Sequence, residues 1–138
     1  MVLDVTNLER ALTRLEKNLA QLNGTDKSGN PDMYDSLRAG AIKHFEIVYE
    51  LSWKMIRKWL LMYRKSDNGE EIITKRDFMR IAADNGLILS PDSWDDYREA
   101  RNASSHTYNE TGSDRIVLKA CDLVRDARYL IGRLRQES

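Results

Sequence analysis

Apolar residues recur along this chain at helical intervals, and the pattern divides it into five segments. Val5, Leu8, Leu12, Leu15, Leu19 and Leu22 follow one another at alternating steps of three and four, the mark of one narrow apolar stripe on an amphipathic helix. Asn23-Gly24 ends that helix, and a polar loop runs through Pro31. A longer helix is expected over roughly Asp35 to Lys65. One of its stripes is Ile42, Phe45, Tyr49, Ser52, Ile56, Trp59 and Tyr63; a second is Val48, Leu51, Met55 and Met62. Two stripes predict burial on two sides. Thr74 with Asp77 three residues on reads as a capped start for a short third helix, with Phe78, Ile81 and Ala82 facing inward and Asn85-Gly86 closing it. Ser90-Pro91 starts a fourth helix carrying Trp94, Tyr97 and Ala100, which fades near Ser104-Ser105. Asn109 to Gly112 reads as a turn and Ser113 as the cap of a last helix. Its stripes are Ile116, Ala120, Leu123, Ala127, Leu130, Leu134 and Val117, Val124, Ile131. No strand pattern competes, because Glu71-Ile72-Ile73 and Leu87-Ile88-Leu89 are too short for a sheet. The expected fold is all-α: an antiparallel four-helix up-and-down bundle with one extra short helix, in a single domain over residues 1–138.

Composition narrows the chemistry. The chain has 138 residues, so it can bury a core without disulfide or metal staples. Its one cysteine, Cys121, excludes an intrachain disulfide, and two histidines exclude a three-histidine metal centre. The 22 basic and 22 acidic side chains cancel, which argues against a broad polycationic coat. No apolar run is long enough to span a membrane, and the first residues lack a signal-peptide pattern, so a cytoplasmic location is expected. There is no phosphate-binding glycine loop and no H-E-x-x-H zinc helix. Asp95-Asp96 reads as a solvated acidic face, and Cys121 as a structural thiol. The run Lys54, Arg57, Lys58, Arg64, Lys65 contains no acid between Leu51 and Ser66. It reads either as a solvated face or as a surface for phosphate or an acidic partner.

Reactive groups concentrate in Arg101-Asn102-Ala103-Ser104-Ser105-His106-Thr107-Tyr108, where the fourth helix runs out. Arg101 and His106 lie about one and a half turns apart. If the helix unwinds near Ser105, a fixed cation and a titratable imidazole share one site. The competing reading is a helix C-terminus whose last carbonyls are satisfied by cationic side chains. For Glu46, Glu50 and Lys54 the competing reading is ion pairing one turn apart on the helix surface.

R-N-x-x-x-H-x-Y on a bundle helix resembles the motif of the HEPN superfamily (higher eukaryotes and prokaryotes nucleotide-binding domains). Phe45-Glu46-x-x-Tyr49-Glu50-x-x-Trp53-Lys54 is similar to the signature of one branch, the nucleotidyltransferase substrate-binding proteins related to the HepT toxins. The resemblance runs from about Leu8 to Leu134. It implies an antiparallel four-helix bundle that forms a homodimer or higher homo-oligomer, with two Arg/His motifs near each other at the cleft. It also implies a small nucleotidyltransferase as partner, in a toxin-antitoxin arrangement, and metal-independent cleavage of RNA with no cofactor. On that resemblance Arg101 and His106 are the catalytic pair and Tyr108 is the acceptor of an AMP group. Asn102 matches the polar residue after the arginine, with Glu46, Glu50 and Lys54 in support. The alternative is a non-catalytic subunit that binds a nucleotide in the Arg/His cleft and presents it to the nucleotidyltransferase.

Overall fold

The structure, a computed structural model, describes residues 3–63, 74–106 and 109–137, with the side chains of Tyr63 and Glu137 left aside. It contains α1 (Thr6–Asn23), α2 (Pro31–Tyr63), α3 (Lys75–Asp84), α4 (Pro91–Ser104) and α5 (Glu110–Glu137), with no strand among the described residues. The expected all-α bundle is therefore the observed one. Tyr108 and the basic pair Arg64-Lys65 fall outside the described residues, as do the anticipated helix end at Ser66–Gly69 and the segment Glu71–Ile73.

Local chemistry accounts for most boundaries. The Thr74 hydroxyl accepts a hydrogen bond from the Asp77 amide at 3.1 Å, and the Ser90 hydroxyl accepts from the Ser93 amide at 3.3 Å, with Pro91 in the first turn. Gly86 turns the chain after α3 with φ of +78°, a conformation that side chains resist. Two boundaries differ from expectation. α2 begins at Pro31, four residues before Asp35, because a proline lacking an amide proton suits the first turn, where no carbonyl awaits one. α5 begins at Glu110, and its cap is Asn109, whose side-chain oxygen accepts from the Gly112 amide at 2.7 Å. Ser113 is inside the helix, its amide bonded to the Asn109 carbonyl at 3.1 Å.

α2 and α5 form the centre. α1 packs against both on one side, α4 packs against both on the other, and α3 lies against α2 and α4; α1 and α4 do not touch. The pairs Glu9–Arg135 and Glu16–Arg128 align α1 antiparallel to α5. Arg38 ties the starts of α2 and α5 together, 3.4 Å from Glu110 and 3.2 Å from Asp114. At Gly40 the two first helices come close: a Cβ there would lie 2.7 Å from Asn18 Oδ1, whose amide nitrogen donates to the Leu37 carbonyl at 2.6 Å.

The stripes read from sequence are the core. Phe45, Val48, Tyr49 and Ile56 of α2, joined by Leu60, which neither stripe included, are buried with Leu8, Leu12 and Leu15 of α1 and with Ala120, Leu123, Ala127, Leu130 and Leu134 of α5. Trp94 lies between two buried tyrosines, its ring centroid 6.5 Å from Tyr49 and 5.3 Å from Tyr97. The Tyr97 hydroxyl donates to Asp126, a carboxylate buried on α5. Trp53 is half-buried and meets Phe78 edge-on at 5.2 Å. Met62, assigned to the second α2 stripe, is exposed.

Candidate functional site

The end of α4 meets the middle of α2 through charge. Arg101 lies in the last turn of α4, where a cation suits the negative end of the helix. Its side chain is two-thirds buried between two carboxylates one turn apart on α2. Nη1 stands 3.8 Å from Glu46 Oε2, and Nε stands 3.7 Å from Glu50 Oε1. Both separations suit ion pairing and are too long for hydrogen bonds, and buried Nε makes none. Electrostatic attraction therefore holds the guanidinium, whose terminal N–H groups make no hydrogen bond to the described residues.

Ser104, one turn after Arg101, completes the cluster. Its hydroxyl lies between the Glu46 carboxylate and the Arg101 carbonyl, 2.7 Å from the latter, and its single proton serves one acceptor at a time. Lys43, three residues before Glu46 on α2, stands 3.9 Å from its carboxylate. Ser104 and Lys43 were missed as site residues from sequence. The spacing of Arg101 and Ser104, three apart in a helix, was the available signal for the first.

The other anticipated residues stand at the surface. His106 is exposed just past the helix, its amide bonded to the Ala103 carbonyl at 2.9 Å, and its imidazole makes no hydrogen bond or ion pair to described residues. Asn102 is exposed and gives only its carbonyl, to Ser105 Oγ at 3.0 Å. Lys54 is exposed without an ion pair among the described residues. The expected Glu50–Lys54 pair does not form; Glu50 faces Arg101 from another helix instead. The structure thus gathers Arg101, Glu46 and Glu50 into one cluster and leaves His106, Asn102 and Lys54 around it.

Beneath the cluster the Tyr49 hydroxyl is buried with no hydrogen-bond partner among the described residues. Burial, reinforced by the nearby Glu50 charge and opposed by Arg98 and Arg101, pushes its pKa up to about 12. Asp95 is no solvated acid: it pairs with Arg76 of α3 and lies 3.4 Å from Arg98, while Asp96 meets Lys119 at 3.4 Å. Cys121 is on the surface, and desolvation together with Asp122 raises its thiol pKa, the reverse of an activated nucleophile. Among the described residues no three His, Cys, Asp or Glu side chains converge as a metal cage, and no helix is long and apolar enough to cross a membrane.

Beside the cluster, between α4 and α5, runs an open groove of about 590 Å³ floored by Ala100, Ala103 and Ile116. Leu118 on its edge is 66% exposed.

Comparison with known proteins agrees with this architecture. The family model described as "Nucleotidyltransferase substrate binding protein like" matches residues 3–136. A Haemophilus influenzae protein named probable ribonuclease HepT is 31% identical over 138 residues, covering 99% of this chain and 94% of that protein. A solved Haemophilus influenzae structure, described as revealing the fold of a substrate binding domain of a nucleotidyltransferase, superposes with a TM-score of 0.82. It is 29% identical, with 96% of this chain and 99% of that one covered. A crystal structure from Thermus thermophilus gives a TM-score of 0.63 at 28% identity, covering 88% of this chain and 98% of that one.

Proposed function

Because the chain belongs to the nucleotidyltransferase substrate-binding protein-like family, we propose that it is a HepT-like, metal-independent endoribonuclease working beside a small nucleotidyltransferase. Arg101 and His106 are its catalytic pair. The observation that carries this reading is the state of Arg101: held in place by two carboxylates, with N–H donors unspent, one and a half turns before an exposed imidazole.

RNA carries its own nucleophile. His106 accepts the 2′-hydroxyl proton, the 2′-oxygen bonds to phosphorus, and the bond from phosphorus to the 5′-oxygen breaks, leaving a 2′,3′-cyclic phosphate. Arg101 donates to the non-bridging oxygens as negative charge builds on them. The departing 5′-oxygen needs a proton, and one imidazole cannot be base and acid in the same step. We assign the acid role to the partner's His106 in a homodimer. The α4–α5 groove supports such a pairing, since it lies on the same helix as Arg101. Its lining carries both charge signs, Glu99 and Asp122 with Arg115 beside the Asp96–Lys119 pair, as a surface that meets its own copy requires. Tyr108, two residues after His106, is the proposed AMP acceptor. An adenylate there adds bulk and negative charge beside the site and excludes the RNA phosphate.

The test is cleavage of a broad RNA panel in excess EDTA, comparing wild type with His106→Ala. Scission by the wild type alone, leaving 2′,3′-cyclic ends, is expected. Failure of the wild type to cut refutes the nuclease. Leu118→Lys should lower both activity and the dimer fraction in sedimentation equilibrium.

A further inference from the structure

We propose that the exposed face of α2 beyond Glu50 is a track for the phosphate backbone of single-stranded RNA, leading into the Arg101 cluster. The inference rests on the ribonuclease reading and extends it to how the substrate is held.

The chain carries no net charge, so what matters is which cations remain unneutralised. Elsewhere many are neutralised within the fold: Arg76, Arg80, Arg98, Lys119, Arg128 and Arg135 all lie against carboxylates. On α2, Lys54, Arg57 and Lys58 are exposed and have no ion pair among the described residues. With Leu61, which is 59% exposed, they occupy positions i, i+3, i+4 and i+7 and therefore form a single stripe. Glu50, one turn before the stripe, faces Arg101; a second acid within electrostatic reach is Asp4. Its carboxyl is held below the usual range chiefly by hydrogen bonding to Thr6, with smaller contributions from Arg10 and Lys58. Asp4 therefore adjoins only the Lys58 end, and Arg10 adds a further cation there.

Position decides what the stripe serves. Glu50, which faces Arg101, is one turn before Lys54 on α2. From the cluster outward the cations advance by about 5.4 Å per helical turn, comparable with the step between successive phosphates of an extended strand. The side chains are long, exposed and unfixed, suited to phosphates and not to base edges, so the track is sequence-independent. No aromatic residue stands on the stripe to stack a base.

The test uses His106→Ala protein, which leaves RNA uncut, and a labelled 12-nucleotide RNA read by fluorescence anisotropy between 50 and 200 mM salt. The triple change Lys54→Gln, Arg57→Gln, Lys58→Gln removes three phosphate contacts. It should make the log–log salt dependence shallower by about 2, equivalent to about 20-fold in affinity across that range. Lys17→Gln, Arg80→Gln, Arg128→Gln removes the same charge from α1, α3 and α5 and should change affinity much less. Equal losses from the two triples overturn the track in favour of net charge alone. Unchanged RNA affinity in the α2 triple also overturns it, including where binding to an acidic protein is lost instead. Cleavage by the wild type is scored separately. A protein that cuts nothing yet loses RNA through the α2 triple keeps the track and refutes the nuclease.

Discussion

Two buried tyrosines on either side of Trp94 differ in one atom's circumstances, and replacing each by phenylalanine isolates it. The Tyr97 hydroxyl donates to the buried Asp126 carboxylate, whose other neighbour is Arg125 Nε at 3.5 Å. Tyr97→Phe keeps the ring and deletes that bond. A hydrogen bond to a charged group contributes about 1.5–3 kcal/mol, and the carboxylate left behind stays desolvated. For a chain of this length the unfolding entropy is about 0.29 kcal/mol per kelvin, so a loss of ~2 kcal/mol lowers Tm by about 7 °C. The Tyr49 hydroxyl has no hydrogen-bond partner among the described residues, so Tyr49→Phe forfeits nothing and relieves a desolvated polar group. Its expected effect runs from none to a gain of about 1–2 kcal/mol. Thermal and guanidinium unfolding followed by circular dichroism at pH 7 measure both. A destabilisation by Tyr49→Phe as large as that by Tyr97→Phe refutes the reasoning. Alkaline pH supplies a second reading. Tyr49 ionises near the ordinary value of about 10 in the unfolded chain but only at about 12 when folded. Above pH 10 the unfolded state binds fewer protons, so stability falls as pH rises, by up to about 2–3 kcal/mol by pH 12. Tyr49→Phe should remove that part of the slope.

Other outcomes follow from single contacts. Glu50→Gln withdraws one of the two charges facing Arg101, so RNA should bind about 3-fold more tightly, from a Coulomb term of ~0.6 kcal/mol near 7 Å in water; filter binding with His106→Ala protein reads this. Gly86→Ala forces a side chain into φ of +78° with its Cβ 3.3 Å from Arg133 Nη2. A loss of about 1–2 kcal/mol is expected in guanidinium unfolding. Thr74→Ala removes the cap of α3 and should cost about 1 kcal/mol, with earlier amide exchange in that helix.

What could be read from the residues and what could not divide by range. The stripe from Ile116 to Leu134 was legible because 3.6-residue periodicity is a property of one segment and needs no partner. Thr74 and Ser90 were legible because a cap bonds within three residues. Where two local solutions competed, as with Asn109 and Ser113, residue type did not decide between them. The candidate cluster was half visible. Arg101, Glu46 and Glu50 were named from their motifs, but the local rule paired Glu50 with Lys54. Only the packing of α4 on α2 offered Glu50 a more buried cation. Ser104 was hidden for the same reason, since its partner lies 58 positions away. Asp95 looked solvated because nothing in its own helix announces Arg76.

The absence of contact between α1 and α4 has a consequence for how the molecule opens. α1, α2 and α5 interlock on one side, closed by Glu9–Arg135 and Glu16–Arg128, so separating any of them dismantles the rest. α4 and α3 cover the other side and can detach without disturbing α1. Amide exchange should therefore fall into two cooperative units, with the Arg101 helix in the weaker one. Breathing of the chain then opens the Arg101 edge while the remaining helices stay shut, so loss of the proposed activity and global melting become separable events.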